Sequence, residues 1–401
     1  MAGSDAGHAF TALGLAAAFA AAGDQTVVYT GTRWLDAAAR RGLTVRELPG
    51  LAVRDDEDDS DAGAKLSSRA SRMALELAPM LALDGTDLVF SDAITLAGGW
   101  AAELTGVPWI ELSPHPLYEQ SRGLPPIGAG MPAGIGVTGR LRDTVLRTMA
   151  APSQARGRAQ RARARTAIGL SPEPEPAARF VATLPGLEEP RPDWPERTHL
   201  IGPQFFEPTD DEFTIPDGDG PLVVVCPSTA ASGSDQLTPV ALAALAALGR
   251  RRPLRVVYSA LEPPPATAEQ PVGLVAGLGR QDLLLARADL VICGGGHGLL
   301  AKALSAGVPV VTVPGGGDQW ELACRVQRSG AGELVRPVTR DGLEAAVRAV
   351  LDGGEHAAAA AAIAGTARQV CDPVATAHRL LDRRSVDQRL VDRRRGEDAC
   401  G

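Results

Sequence analysis

Residues 292–311 read ICGGGHGLLAKALSAGVPVV. An apolar run ends in Gly294, Gly295 and Gly296; His297 and Gly298 follow, then a helix-forming segment and a second apolar run. Glycines between a strand and a helix permit positive φ and let a ligand approach the main chain closely. The new helix offers unpaired N–H groups and about half a positive charge at its start. Together these features make an anion site, most naturally for a diphosphate. The run is not G-x-G-x-x-G, and no G-K-[ST] follows, so dinucleotide and P-loop fingerprints do not fit. A tight turn without a ligand is the competing reading. Further on, GVPVVTVPGGGDQWELACRVQRSGAG (307–332) puts Asp318 and Gln319 after the next strand, at the mouth of another helix. A carboxylate and an amide placed there can fork onto adjacent hydroxyls, although Asp318 could instead cap its helix. A diphosphate site on one strand and a hydroxyl reader on the next describe a nucleotide-sugar.

The elements that must carry these residues follow an alternating pattern. TALGLAAAFAAAG reads as a helix closed by Gly23, and residues 25–31 as a buried strand. Residues 87–92 and 107–113 read as strands on either side of a helix, which argues for parallel βαβ units. Strand patterns return at 221–226, 254–259, 289–293 and 308–313, with a helix near 236–249. Between them, residues 189–221 are crowded with Pro, Gly and Asp and read as a break between two halves. The expected architecture is α/β, with two Rossmann-like doubly wound parallel sheets facing a cleft. One covers residues 1–202, a linker 203–220, the second 221–382, and a charged tail 383–401. Such sheets bind ligands beyond the carboxyl ends of their strands, at the point where strand order reverses.

Composition narrows the function. The 401 residues carry a formal net charge of −8 and only 4% aromatics, so neither phosphate-backbone binding nor base stacking is indicated. Five scattered cysteines with no C-x-x-C fit a reduced, cytoplasmic protein. The early apolar stretch 12–22 is too short to span a bilayer, and no basic segment precedes it. No metal cluster is evident. The acidic stretch 53–63 fails the calcium-loop pattern and reads as a solvated loop. The Arg-rich stretch 139–169 keeps to no single helical face and reads as a solvated helix pair.

The segment ADLVICGGGHGLLAKALSAGVPVVTVPGGGDQWELACRVQRSGAG resembles the donor-binding signature of the UDP-glycosyltransferase-like enzymes, which have the GT-B fold and include many bacterial natural-product glycosyltransferases. The likeness is tight over 287–332 and loose over 7 to about 380. It implies that Gly295, Gly296, His297 and Gly298 line the diphosphate and that Asp318 and Gln319 hold sugar hydroxyls. It further implies that Ser228 or Thr229 contacts a phosphate and that Gln281 lies in a nucleobase-contacting segment. In the first half GHAFTALGLAAAFAAAG resembles the family's "GH" start, which makes His8 the general base; Asp92 in DLVFSDA matches the acid that orients it. Read without the family, Asp92 is a helix N-cap and His8 a surface residue.

Four departures stand out. Gly294 replaces a histidine that contacts the diphosphate, Leu299 a threonine, and Lys302 a glutamate that accepts from the ribose hydroxyls. A lysine cannot accept a hydrogen bond; Lys302 and His297 are expected instead to supply cationic charge to the phosphates, with Lys302 on the nucleoside side. The fourth is at the start, where only MAGSDA precedes the "GH" loop. Either the true start lies upstream of Met1 or the first strand is a stub.

The resemblance implies an inverting glycosyltransferase moving a hexose from a UDP- or TDP-sugar, a co-substrate, to a small, largely apolar acceptor, with neither cofactor nor metal. A catalytically impaired nucleotide-binding or partner protein of the same fold is the alternative, and a nucleotide-sugar epimerase a third reading.

Overall fold

The computed structural model describes residues 1–52, 61–230, 232–266 and 268–382. Most of the acidic stretch read as a solvated loop, residues 53–60, lies outside them, as does the tail from 383. The first half runs α1 (Ala6–Ala21), β1 (Val27–Thr30), α2 (Leu35–Arg40), β2 (Thr44–Glu47), α3 (Ala62–Leu83), β3 (Val89–Asp92), α4 (Ala97–Thr105), β4 (Trp109–Ser113), α5 (Gly136–Ala167), β5 (Ala178–Val181) and β6 (Thr198–Leu200). The second runs β7 (Leu222–Cys226), α6 (Leu237–Gly249), β8 (Arg255–Ser259), β9 (Val275–Gly277), α7 (Gln281–Leu285), β10 (Leu290–Cys293), α8 (His297–Ser305), β11 (Val310–Thr312), α9 (Gln319–Ser329), β12 (Gly332–Leu334), α10 (Arg340–Asp352) and α11 (Glu355–Gly365).

Why the second half's strands read as unbroken apolar runs is visible in their packing. Leu222, Val224 and Cys226 of β7 enter one core with α8, α9 and α11, while Val223 and Val225 enter another with α6 and α10. Both faces of this parallel sheet are covered, so both alternating sets must be apolar. Its strand order is β12-β11-β10-β7-β8-β9, all parallel. The order reverses between β7 and β10, so their carboxyl ends flank the switch point where such sheets bind ligands.

The first half has the same plan around a very short central segment. β1 pairs with β2, and β3-β4-β5-β6 form a separate sheet. Residues 1–3 run between them: Ala2 N–H donates to Tyr29 O at 3.1 Å, the Met1 nitrogen to Phe90 O at 2.8 Å, and Asp92 N–H to Met1 O at 3.0 Å. This central segment bridges the two sheets. It delivers the chain directly into α1 at the first half's own reversal of order. α1 is buried on most of its surface, feeding Leu15 and Phe19 to one core and Leu13 and Ala16 to another.

Two boundaries differ from expectation. Residues 136–167 form one helix, not a pair, with Pro152 inside it. Residues 373–382 are helical and return to the first half, where Val374, Ala377 and Leu380 pack against Leu15 and Phe19. The chain therefore crosses between halves twice, at 201–221 and at 366–372. The crossings touch: Cys371 N–H donates to Leu200 O at 2.8 Å, and a Cβ on Gly202 would lie 3.2 Å from Val370 Cγ2.

Candidate active site

The two switch points face each other. A Cβ built on Gly298, in the first turn of α8, would lie 3.9 Å from Gly7 Cα in the first turn of α1. Two helix N-termini thus converge on one place, each with unpaired N–H groups and the positive end of its dipole. The floor between the halves is an anion-favouring surface before any side chain is counted.

On the α1 side, His8 and Asp92 meet. His8 Nδ1 lies 2.6 Å from Asp92 Oδ1, with the carboxylate fully buried and the imidazole one-fifth exposed. The other oxygen, Asp92 Oδ2, accepts from the N–H groups of Ile94 and Thr95 at 3.2 and 2.8 Å. Asp92 therefore fixes the turn after β3 with one oxygen and the imidazole with the other. Burial pulls the His8 pKa down, but the hydrogen bond and charge of Asp92 outweigh it, and the net shift is upward. Burial alone would raise Asp92; the His8 contact brings it below the ordinary carboxylate value. Among the described residues no hydrogen bond engages His8 Nε2, the nitrogen that a base would use.

On the α8 side the glycines have distinct tasks. Gly295 has φ +81°, and a Cβ there would stand 3.2 Å from Gln319 O. Gly296 is the α8 N-cap with open space around its Cβ position. At Gly294 a Cβ would meet Ser228 Cβ at 3.2 Å and Gln319 Oε1 at 3.3 Å. A bare residue at 294 therefore accompanies a local bond: Gln319 Nε2 donates to Ser228 Oγ at 3.0 Å while Gln319 Oε1 accepts from Gly315 N–H at 2.9 Å. The Gln319 amide holds the loops after β7 and β11 together and keeps one donor and one acceptor position spare. Thr229 is exposed beside Ser228. Leu299 is half-buried and packs against the core.

Asp318 occupies the N-cap of α9 without bonding its helix. Its Oδ2 accepts instead from Tyr118 Oη, in the opposite half, at 2.9 Å. Its carboxylate is directed across the cleft and not spent as a cap.

Two expectations need correction. His297 and Lys302 do not bring cationic charge to the glycine turn. The His297 side chain is buried across the interface, with Nε2 2.8 Å from Thr183 Oγ1, and its pKa is pushed down to about 3 by burial and then by nearby His115. The ring is neutral and pins the halves together; only its main-chain N–H remains at the α8 start. Lys302 Nζ lies 2.7 Å from Glu207 Oε1 and 3.2 Å from Gln281 Oε1. Glu207, from the linker, also accepts from the N–H groups of Gln281 and Asp282 at 3.1 and 3.3 Å. Gln281 and Lys302 do come together, and the cluster has a carboxylate after all, supplied by the linker rather than by α8.

Sequence reasoning missed Glu207, Thr183 and Tyr118, each joined to its partner only by the fold. Cys226 and Cys293, at the ends of β7 and β10, are inert at neutral pH because burial pushes both thiols up to about 12. Among the described residues, no group of three His, Cys, Asp or Glu side chains could hold a metal ion, and no helix is long and apolar enough to cross a membrane.

Comparison with known proteins agrees with this geometry. Residues 278–371 match the glycosyltransferase family 28 C-terminal domain. Over 269 residues the chain is 30% identical to 4'-demethylrebeccamycin synthase of Lentzea aerocolonigenes, an alignment covering 61% of each chain. The chain thus spans about 61% of the length of that curated relative. Among solved structures, the glycotransferase of kitacinnamycin superposes with a TM-score of 0.69 at 19% identity, covering 92% of this chain and 93% of that one. The Streptomyces sp. SF2575 glycosyltransferase SsfS6, complexed with thymidine diphosphate, gives 0.63 at 19% identity, covering 94% and 98%. The architecture is the two-domain GT-B fold, with parallel sheets in both halves.

Proposed function

We propose that this chain, whose second half carries a glycosyltransferase family 28 C-terminal domain, is an inverting glycosyltransferase that moves a hexose from a UDP- or TDP-sugar to a hydroxyl of a small, largely apolar acceptor. One observation carries the reading: a His8–Asp92 pair at 2.6 Å on one switch point faces the bare helix start on the other. The relationship to a rebeccamycin-type synthase supports a natural-product acceptor, and the neighbour holding thymidine diphosphate supports a nucleoside diphosphate donor.

In this reading His8 Nε2 takes the acceptor proton as the hydroxyl attacks the anomeric carbon. Asp92 keeps the other proton on Nδ1 and stabilises the imidazolium that forms. The diphosphate departs toward the main-chain N–H groups of His297, Gly298 and Leu299, where the α8 dipole meets the growing charge. Gly295 and Gly296 admit it, and Ser228 and Thr229 border it. Asp318 and the spare positions of Gln319 take sugar hydroxyls, and Gln281 with Lys302 forms the nucleoside side. Base and leaving group lie on opposite sides of the sugar, so the anomeric centre inverts. Charge on the leaving group is met by fixed dipoles, so no step calls for a metal.

A donor-hydrolysis screen with UDP- and TDP-sugars tests this, run with thermal shift by UDP and TDP. Wild type is expected to hydrolyse at least one donor slowly, and His8→Ala to lose roughly 10²–10⁴-fold in rate while still binding the nucleotide. Nucleotide binding without turnover, unchanged by His8→Ala, would establish the catalytically impaired alternative instead. Release of an epimerised donor would establish an epimerase.

A further inference from the structure

The Arg-rich helix α5 carries a second pattern that the cleft does not use. Ile135, Val137, Leu141, Val145 and Met149 are 92, 82, 62, 50 and 73% exposed. From Val137 to Met149 the apolar residues recur every fourth position, so they form one outward stripe about 18 Å long and about 120° wide. The opposite side of the helix is the one the fold engages. There Asp143 Oδ2 accepts from Gly134 N–H, Arg147 donates to Leu124 O and Gln154 donates to Gln120 Oε1, each at 2.7 Å. The stripe thus faces solvent on a helix already anchored from behind. Five large apolar side chains in one row form a continuous patch, which scattered surface exposure does not produce.

Charge is gathered on the same helix. Residues 136–167 hold eight arginines and a single carboxylate, Asp143, in a chain whose formal net charge is −8. Arg142, Arg156 and Arg165 are paired with Asp143, Asp61 and Glu103. Arg140, Arg158, Arg161 and Arg163 are exposed and, among the described residues, have no carboxylate partner. A second copy of the chain is a poor occupant, because a self-complementary contact would set this cationic helix against itself. An anionic lipid surface matches both features: apolar side chains enter the acyl boundary while guanidinium groups stay among the phosphates. We propose that α5 is a peripheral docking helix, laying Val137, Leu141, Val145 and Met149 into an anionic bilayer surface with its unpaired arginines at the headgroups. The stripe begins five residues after Gly130, whose N–H Glu321 of α9 accepts at 2.8 Å, so the docked face lies beside the rim of the cleft. This goes beyond the glycosyltransferase reading and does not depend on it.

The test is co-sedimentation of the full chain with vesicles of phosphatidylcholine alone or mixed equally with phosphatidylglycerol. Wild type is expected to bind the mixed vesicles, to bind phosphatidylcholine far more weakly, and to detach as salt rises from about 0.1 to 1 M. Joint replacement Leu141→Ser, Val145→Ser and Met149→Ser is expected to raise the lipid needed for half-binding by about 100-fold or more, through lost apolar burial. Arg140→Gln with Arg158→Gln is expected to raise it by about 20–30-fold. Both variants alter exposed side chains, so their melting temperatures and TDP binding should match wild type. No binding to the mixed vesicles, equal binding to both kinds, or binding unmoved by the serine replacements overturns the proposal. Sedimentation velocity without lipid covers the other occupant: a dimer that the serine replacements dissociate, in a protein that leaves vesicles alone, would overturn the proposal and give the stripe to a second copy. Each of these failures leaves the enzyme reading intact, because TDP binding and donor hydrolysis are measured without lipid.

Discussion

Replacing Asp92 by asparagine tests the dyad with little change of shape. Asp92 serves two sets of partners: Oδ1 holds His8, and Oδ2 accepts from two main-chain N–H groups. Asparagine has one oxygen. Two buried N–H donors compete for it against one imidazole, and leaving both unpaired would cost about 1–3 kcal/mol each. The amide oxygen therefore stays with Ile94 and Thr95, and the NH2 group turns to His8. A donor facing Nδ1 forces the ring proton to Nε2, the position that must be empty to receive the acceptor's proton. The variant is thus expected to hold its stability within about 1 kcal/mol while losing roughly 10²–10⁴-fold in kcat, the usual worth of a positioned base. Donor KM should barely move, because Asp92 is remote from the nucleotide cluster. The wild-type rate should rise with pH through a value above the ordinary histidine 6.5, since Asp92 raises the His8 pKa. Asp92→Asn removes that charge, so any residual rate should lose this upward displacement. Steady-state kinetics from pH 5 to 9, with denaturant melts as control, measure all of this. A variant retaining more than a fifth of wild-type kcat with an unmoved acid limb would refute the role given to the pair.

Three further outcomes are expected. Lys302→Glu should destabilise by about 3–5 kcal/mol in chemical denaturation, because Glu207 would face a second carboxylate in a site where both partners are at most a tenth exposed; Lys302→Glu with Glu207→Lys should recover much of it. His297 lies at about 3 when folded against 6.5 when free, so the unfolded chain takes the proton first; its contribution is complete above 6.5 and drains away as pH falls toward 3, by about 1.4 kcal/mol per pH unit. The stability difference between wild type and His297→Gln should narrow over that window, and a difference independent of pH would contradict a neutral pin. Gly295→Ala should cost about 1–2 kcal/mol and weaken TDP binding, whereas Gly296→Ala, at φ −65° with open space, should leave stability within about 1 kcal/mol of wild type; equal effects would contradict the assigned backbone roles.

Much of the scaffold was legible because burial on two faces leaves a strong trace. LVVVC and DLVIC could hardly be anything but inner strands, and their positions emerged within a residue or two. Most of the strands that escaped notice lie at edges: TVRE of β2 is mostly exposed, and THL and GEL have no apolar run to betray them, while ARFV of β5 lies inside its sheet but has its apolar pattern broken by Arg179. The Arg-rich stretch, expected as a helix pair, is one helix with Pro152 inside it. At the site, the strand-to-helix glycines and the sites of His8, Asp92 and Asp318 were reachable through motif and resemblance. The partners of Lys302 and His297 were not. A lysine one turn into a helix near phosphate-like glycines invites a phosphate role, and nothing local announces that Glu207 will lie beneath it. The bond between Tyr118 and Asp318 joins positions 200 residues apart, and only two domains folding face to face create it.

Because the two crossings of the polypeptide lie against each other at Leu200 and Cys371, the halves are fastened as if by a single rivet. Parting them by a swing about that rivet would draw Leu184 and Leu187 of the first half out of the core they share with β7, α8 and α9. The swing's resistance then resides in the contacts across the seam: those of His297 with Thr183 and of Tyr118 with Asp318, and those of Glu321 with the N–H groups of Gly128 and Gly130, of Arg325 with Leu187 O and of Arg328 with Glu189. Changing those side chains would alter how readily the jaws part without touching the frame that carries them.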